Sequence, residues 1–186
     1  MKETSKDKLI STASRLFQLQ GYHGTGLNHI LKESGAPKGS LYYYFPDGKE
    51  QLAVESVELT AEHVRERIKR GLDQKTDAAE AIQDFIEKMA EQYQHDAIQE
   101  GVPIAAVALE TALFSERIRK ACQNGYESFQ QVFTDKLLES GYEEDRAREL
   151  GIVINSMIEG ASLLSFTMGN NEPLLLAAKN IPALLK

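Results

Sequence analysis

The spacing of apolar residues narrows the fold most: it is helical along nearly the whole chain and nowhere alternates as a strand would. Leu9, Ala13, Leu16 and Phe17 fall at i, i+4, i+7 and i+8, one face of a first helix that Gly21 is placed to stop. Thr25 can cap a second helix burying Leu27, Ile30 and Leu31, and Gly35 ends it. Pro37, favoured in a first turn, opens a short third helix with Leu41 and Phe45 on its inner side. Pro46-Asp47-Gly48 is turn chemistry. A long helix follows from about Lys49, because Val57, Ala61, Val64, Ile68 and Leu72 step by four, three, four and four. Its far side carries Glu62, Arg65, Glu66, Lys69 and Arg70, a solvated face. Further helices are expected over residues 78–93, 103–114, 115–140, 145–168 and 172–186, with breakers at 74–77, 141–142 and 169–171. The chain reads as all-α, with about nine helices.

Composition closes off other classes. A chain of 186 residues that is 42% hydrophobic and 26% charged is ordinary for a folded globular protein, not a disordered tail, a collagen-like repeat or a disulfide scaffold. No uninterrupted apolar run reaches about eighteen residues, so no membrane span is expected. The charged start Met1-Lys2-Glu3-Thr4-Ser5-Lys6-Asp7-Lys8 predicts no signal peptide. Cys122, the single cysteine, cannot form an internal disulfide, which points to a reducing compartment and a cytoplasmic location.

A net charge of -7 argues at first against nucleic acid, because phosphate contacts need Lys and Arg. The average conceals an asymmetry. Residues 1–50 carry seven basic side chains (Lys2, Lys6, Lys8, Arg15, Lys32, Lys38, Lys49) against five acidic ones (Glu3, Asp7, Glu33, Asp47, Glu50). Residues 51–186 carry the other 14 basic and 23 acidic side chains, so the acidity lies outside the first fifty residues.

Those fifty residues hold the informative pattern. Two short helices joined by Ser34-Gly35-Ala36, with a first helix packed behind them, make a helix-turn-helix. In that motif the second helix of the pair enters the major groove and shows its N-terminal residues to base edges. Here it is Lys38-Gly39-Ser40-Leu41-Tyr42-Tyr43-Tyr44, with Lys38, Ser40, Tyr42 and Tyr43 facing outward. Lys and Tyr suit phosphate, and Ser40 suits a base edge or phosphate. A helix pair with a Gly turn also occurs in all-α proteins that bind no DNA, so the pattern alone leaves both readings open.

The residues Phe17-x3-Gly21-Tyr22-x2-Thr25-x4-Ile30-x4-Gly35-x2-Lys38-Gly39-Ser40-Leu41-Tyr42-Tyr43-Tyr44-Phe45, then Lys49-Glu50-x-Leu52, carry many fixed spacings over about fifty residues. This stretch resembles the N-terminal signature of TetR-family bacterial transcriptional regulators. Phe17-Gln18-Leu19-Gln20-Gly21-Tyr22-His23 and Asn155-Ser156-Met157-Ile158-Glu159-Gly160 are similar to the LmrA/YxaF-like subgroup. The resemblance implies an Ω-shaped homodimer, with a DNA-binding domain over residues 1–50 and a ligand-binding and dimerisation domain over 51–186. By position it implies phosphate contact at Thr25, Tyr42, Tyr43 and Lys49, and reading by Lys38, Gly39 and Ser40, while Tyr44 stands where the family often has His. Two departures matter: Pro37 stands where Ser or Thr is frequent, and the Phe45–Lys49 spacing is one residue longer than usual, which puts the placement of Lys49 in question.

Beyond residue 50, the 145–168 segment is apolar nearly all round, as a helix buried on more than one side must be. Either a core or a dimer interface satisfies that pattern. The interface candidates are Ile154, Ile158, Ala161, Leu164, Leu175 and Leu184. Polar residues on apolar helices are the effector-site candidates, because a buried polar group must be paired and can orient a ligand. They are Glu110, Thr111, Asn155 and Glu159, with Met89, Tyr93, Phe129 and Phe133 as apolar wall. Together they fit a small, mostly apolar effector; the subgroup resemblance suggests an aromatic compound such as a flavonoid or a drug.

His23, His29, His63 and His95 show no metal-ligand spacing, no catalytic signature occurs, and no cofactor is expected. The expectation is a ligand-responsive repressor that binds a palindromic operator in double-stranded DNA as a homodimer, and not an enzyme. A regulator with a co-repressor or no effector stays open, as does a helical carrier or enzyme whose helix-turn-helix binds protein.

Overall fold

A computed structural model describes residues 4–96 and 104–186. Among them are nine helices: α1 (Ser5–Gly24), α2 (Leu27–Ser34), α3 (Lys38–Tyr44), α4 (Lys49–Leu72), α5 (Ala78–Asp96), α6 (Ala105–Thr111), α7 (Glu116–Glu139), α8 (Glu144–Met168) and α9 (Glu172–Leu184). No strand occurs among the described residues. Pro103, expected to open the sixth helix, and the side chain of His95 lie outside what is described.

The chain divides into two compact units, and the division does not follow a cut at residue 50. Residues 4–63 group with 104–125, and residues 64–96 group with 126–186. Both boundaries fall inside long helices, α4 and α7.

The first unit is built around α1. A capping box starts it: the Asp7 amide donates to Thr4 Oγ1, and the Thr4 amide donates back to the Asp7 carboxylate. Leu9, Ala13, Leu16 and Phe17 form its buried stripe, as the periodicity requires, and α2, α3 and α6 pack on it. Leu52, Ala53 and Val57 of α4 complete this core. A polar seam runs through it, where Ser14 Oγ donates to the Ser56 carbonyl at 2.8 Å.

Gly21 does interrupt α1, but the helix resumes for one further turn. Gly21 adopts φ 73°, ψ 174°, a region open essentially to glycine alone. The second helix is entered differently from the sequence expectation. Its N-cap is Gly26, with no side-chain cap, while Thr25 is fully buried and donates from its hydroxyl to the carbonyls of Gly21 and Leu16. Thr25 therefore closes the end of α1 instead of capping α2.

The second unit packs α9 against α5 and α8. Ile82, Phe85, Ile86, Phe129, Phe133, Leu150, Ile154 and Ile181 are buried there, and Phe85 meets Phe133 edge-on with centroids 6.3 Å apart. Gly151 lets α8 approach α7 closely: a Cβ built there would stand 2.4 Å from Thr134 Oγ1. Among the described residues, α8 is the one helix long and apolar enough to cross a membrane by length and composition. Much of its apolar surface is instead used for packing, through Leu150, Ile154, Ile158 and Ala161.

Candidate nucleic-acid interface

The α2–α3 pair is shaped by one backbone turn and two apolar anchors. Gly35 takes the left-handed conformation (φ 63°, ψ 14°) that ends α2 without a Cβ penalty. Leu41 and Phe45 are fully buried, fixing one side of α3. The opposite side is then necessarily presented outward: Tyr42 is 57% and Tyr43 78% exposed, and Lys38 and Gly39 are exposed with them. Two aromatic side chains are thus held side by side in solvent on a seven-residue helix.

The charges around α3 sharpen this. Lys6 pairs with Glu55 at 2.8 Å, Arg15 with Glu33 at 3.2 Å, and Arg117 with Asp47 at 3.0 Å, so several cations of this unit are neutralised internally. Among the described residues, Lys38 has no acidic partner at ion-pair distance, leaving its ammonium available to an external anion. Ser40 is half-buried and its hydroxyl donates to the Pro37 carbonyl at 2.6 Å, so it presents acceptor lone pairs outward. Pro37 itself is the N-cap of α3 and supplies no side-chain cap.

Two further expected contact residues are engaged within the first unit. Thr25 turns its hydroxyl and its amide inward, the latter to Tyr22, which removes both of its donors from the surface. Lys49 is half-buried with its ammonium 4.3 Å from the centre of the Tyr22 ring, a cation–π contact. Burial pulls its pKa below the usual lysine value, while the Glu110 carboxylate opposes that shift. The extra residue before it is absorbed by a turn: Gly48 donates to the Phe45 carbonyl at 2.9 Å with φ 70°, and the Asp47 amide donates to Gln51. Tyr44 is half-buried, edge-on to Tyr43 at 4.9 Å and to Phe45 at 6.5 Å.

The effector-site candidates separate into two groups. Glu110 and Thr111 lie in the first unit, where the Thr111 hydroxyl is buried against the Val107 carbonyl and Glu110 faces α1. Met89, Tyr93, Phe129, Phe133, Asn155 and Glu159 all belong to the second unit. There Tyr93 donates from its hydroxyl to the Ser165 carbonyl at 3.0 Å, and Tyr126 to the Glu159 carboxylate at 3.5 Å. Burial pushes the Glu159 carboxyl above the usual carboxylate range, and the Tyr126 bond partly offsets that. Asn155, Phe129 and Phe133 are buried, and Met89 is half-buried. Tyr126 was missed in the sequence, although it precedes Phe129 and Phe133 at i+3 and i+7 on one helical face.

The dimer-interface candidates also divide. Ile154, Ile158 and Ala161 are buried within their own unit. Leu164 and Leu175 are exposed, Leu184 is half-buried, and Val153, Leu163 and Leu176 join the exposed set. Periodicity identifies α8 as apolar all round but cannot say which side meets its own chain.

A short helix held by two apolar anchors, displayed across a glycine turn with exposed Lys and Tyr, defines a helix-turn-helix DNA-binding protein. Residues 9–55 match the family described as bacterial regulatory proteins, tetR family, and residues 78–180 match the transcriptional regulator LmrA/YxaF-like C-terminal domain. The HTH-type transcriptional regulator YxaF of Bacillus subtilis (strain 168) is 51% identical over 98% of this chain and 95% of its own length. LmrA of the same organism is 50% identical over 98% and 97%. Among solved structures, reduced NemR of E. coli superposes with a TM-score of 0.86 at 22% identity, covering 96% of this chain and 95% of its own. The chain belongs to the TetR family of transcriptional regulators, with a C-terminal domain of the LmrA/YxaF-like type, and its class is regulatory, not enzymatic.

Proposed function

We propose that the chain is a cytoplasmic, ligand-responsive repressor that binds a palindromic operator as a homodimer and is released by a small, mostly apolar effector. The observation that carries the DNA half of this reading is the outer face of α3. Lys38 without an internal partner, Gly39, the acceptor face of Ser40, and the exposed rings of Tyr42 and Tyr43 line one side of a helix whose other side is locked by Leu41 and Phe45. Lys38 and the two tyrosines would meet phosphate, and Gly39 and Ser40 would lie nearest the bases. Two such helices in a two-fold dimer would enter successive major grooves about 34 Å apart. Leu164 and Leu175, apolar and exposed, support pairing through α8 and α9.

The effector half rests on the second unit, where Tyr93, Tyr126 and Glu159 set a few polar groups among Met89, Phe129 and Phe133. An effector that binds one head spacing better than another lowers operator affinity by the difference.

Selection of duplexes from a random pool, then binding of the enriched duplex at several salt concentrations, tests the reading. Tyr42→Ala is expected to weaken binding to every sequence while leaving the oligomer intact. Retardation unchanged by that substitution would remove α3 as the DNA-contacting helix. Adding a flavonoid to the complex should release the DNA; tightening would make the ligand a co-repressor.

A further inference from the structure

The α1 kink leaves a backbone problem that is solved from far along the chain. Beyond Gly21 the last turn of α1 starts afresh, so its first amides lack the carbonyls that an unbroken helix would supply. The His23 amide instead donates to Glu110 Oε2 at 2.7 Å, from a residue 87 positions away. Glu110 reaches that amide because Gly21 has no side chain: a Cβ there would stand 1.8 Å from Glu110 Oε1. The carboxylate thus acts as a cap for the last turn of α1, delivered by α6.

What this cap holds bears on DNA. Tyr22, between Gly21 and His23, stacks on Phe17 with centroids 5.8 Å apart and meets Phe114 at 6.1 Å. The same ring carries the Lys49 ammonium at 4.3 Å. Lys49 is the first residue of α4, and the Glu110 charge favours its ammonium form against burial. The neighbouring α6–α7 join grips the same place, where Ser115 donates to Glu50 at 2.6 Å and Arg117 pairs with Asp47.

We propose that Glu110 is a positioning residue for DNA binding: seated in the α1 kink, it fixes Tyr22 and so sets where Lys49 and the start of α4 stand against the phosphate backbone. The proposal rests on operator binding by the helix-turn-helix with Lys49 among its phosphate contacts, and the experiment separates the two. In the full chain, Glu110→Ala removes both the acceptor and the charge. Glu110→Asp keeps the charge but draws the carboxylate back by one methylene.

With the duplex enriched by the unaltered protein, both variants are expected to bind at least about tenfold more weakly. Their plots of log K against log salt should be shallower by about 0.9 for each head, the loss of one phosphate contact. Lys49→Met should give the same shallower slope, and adding Glu110→Ala to it should lower the slope no further. A defect in stability alone lowers the folded fraction without altering the slope. If Glu110→Ala does not fold, Glu110→Asp and Lys49→Met carry the comparison. Wild-type affinity and slope in Glu110→Asp would overturn the proposal. Failure of the unaltered protein to enrich any duplex would instead overturn operator binding itself.

Discussion

Helices α3 and α8 reach the surface with aromatic or apolar side chains, yet by opposite routes. In α3, seven residues are held by Leu41 within the helix and Phe45 at its C-cap, both fully buried, and what remains outside is Lys38, Tyr42 and Tyr43, rings with polar tips beside a cation. In α8, 25 residues bury one stripe through Leu150, Ile154, Ile158 and Ala161 while Val153, Leu163, Leu164 and Phe166 stay half out. The first surface suits a wet, charged partner, and the second suits another apolar surface. One side of each helix is spent on its own fold, and only the side left over speaks to function.

Substitutions that cross this division test it. The largest effect is expected at Phe45, fully buried beneath α3: Phe45→Ala should cost about 3–5 kcal/mol by equilibrium denaturation and abolish DNA binding with the fold of its unit. A loss below about 1 kcal/mol would mean that α3 is not anchored as described. Next comes Gly151, where α7 and α8 touch; Gly151→Val should destabilise by about 1–3 kcal/mol through overpacking against Thr134. Leu164→Asp should leave the protomer folded yet yield monomers in sedimentation at micromolar concentration, whereas Ile158→Asp should unfold it. Equal outcomes for those two would erase the distinction between the inner and outer sides of α8.

The smallest effect concerns pH. Glu159 has its folded pKa raised by burial, so its contribution favours the fold below the ordinary carboxylate range and is lost as pH rises through the folded value. Glu159→Gln, which stays uncharged, should therefore melt slightly above wild type near pH 7.5, and the gap should close on approach to pH 4. A gap that widens on acidification would reverse the assigned cause.

Residues with local, periodic roles were legible in the sequence. The stripes of α1 and α4, Gly35 as the end of α2, and Leu41 and Phe45 as anchors follow from the sequence alone, and the structure reproduces them. Thr25 misled because a threonine between two helices has two carbonyl-rich ends to choose from, and here it serves the preceding one. The place of Glu110 was hidden for a different reason. An acid among alanines looks like a pocket lining, and only tertiary packing shows that it faces the α1 kink 87 residues earlier. The sides of α8 could not be told apart, because a helix apolar all round carries no phase.

The division of the chain has a consequence for biosynthesis. The unit bearing α3 draws its packing from residues 4–63 and again from 104–125, with Glu110, Ser115 and Arg117 in the later piece. Its first sixty-odd residues therefore leave the ribosome before the segment that closes them exists. At about 5–20 residues per second, the wait is roughly 3–12 s, during which apolar residues such as Leu16 and Phe17 lack their final cover. A reading head cut out as a short N-terminal fragment would be held permanently in that unfinished state.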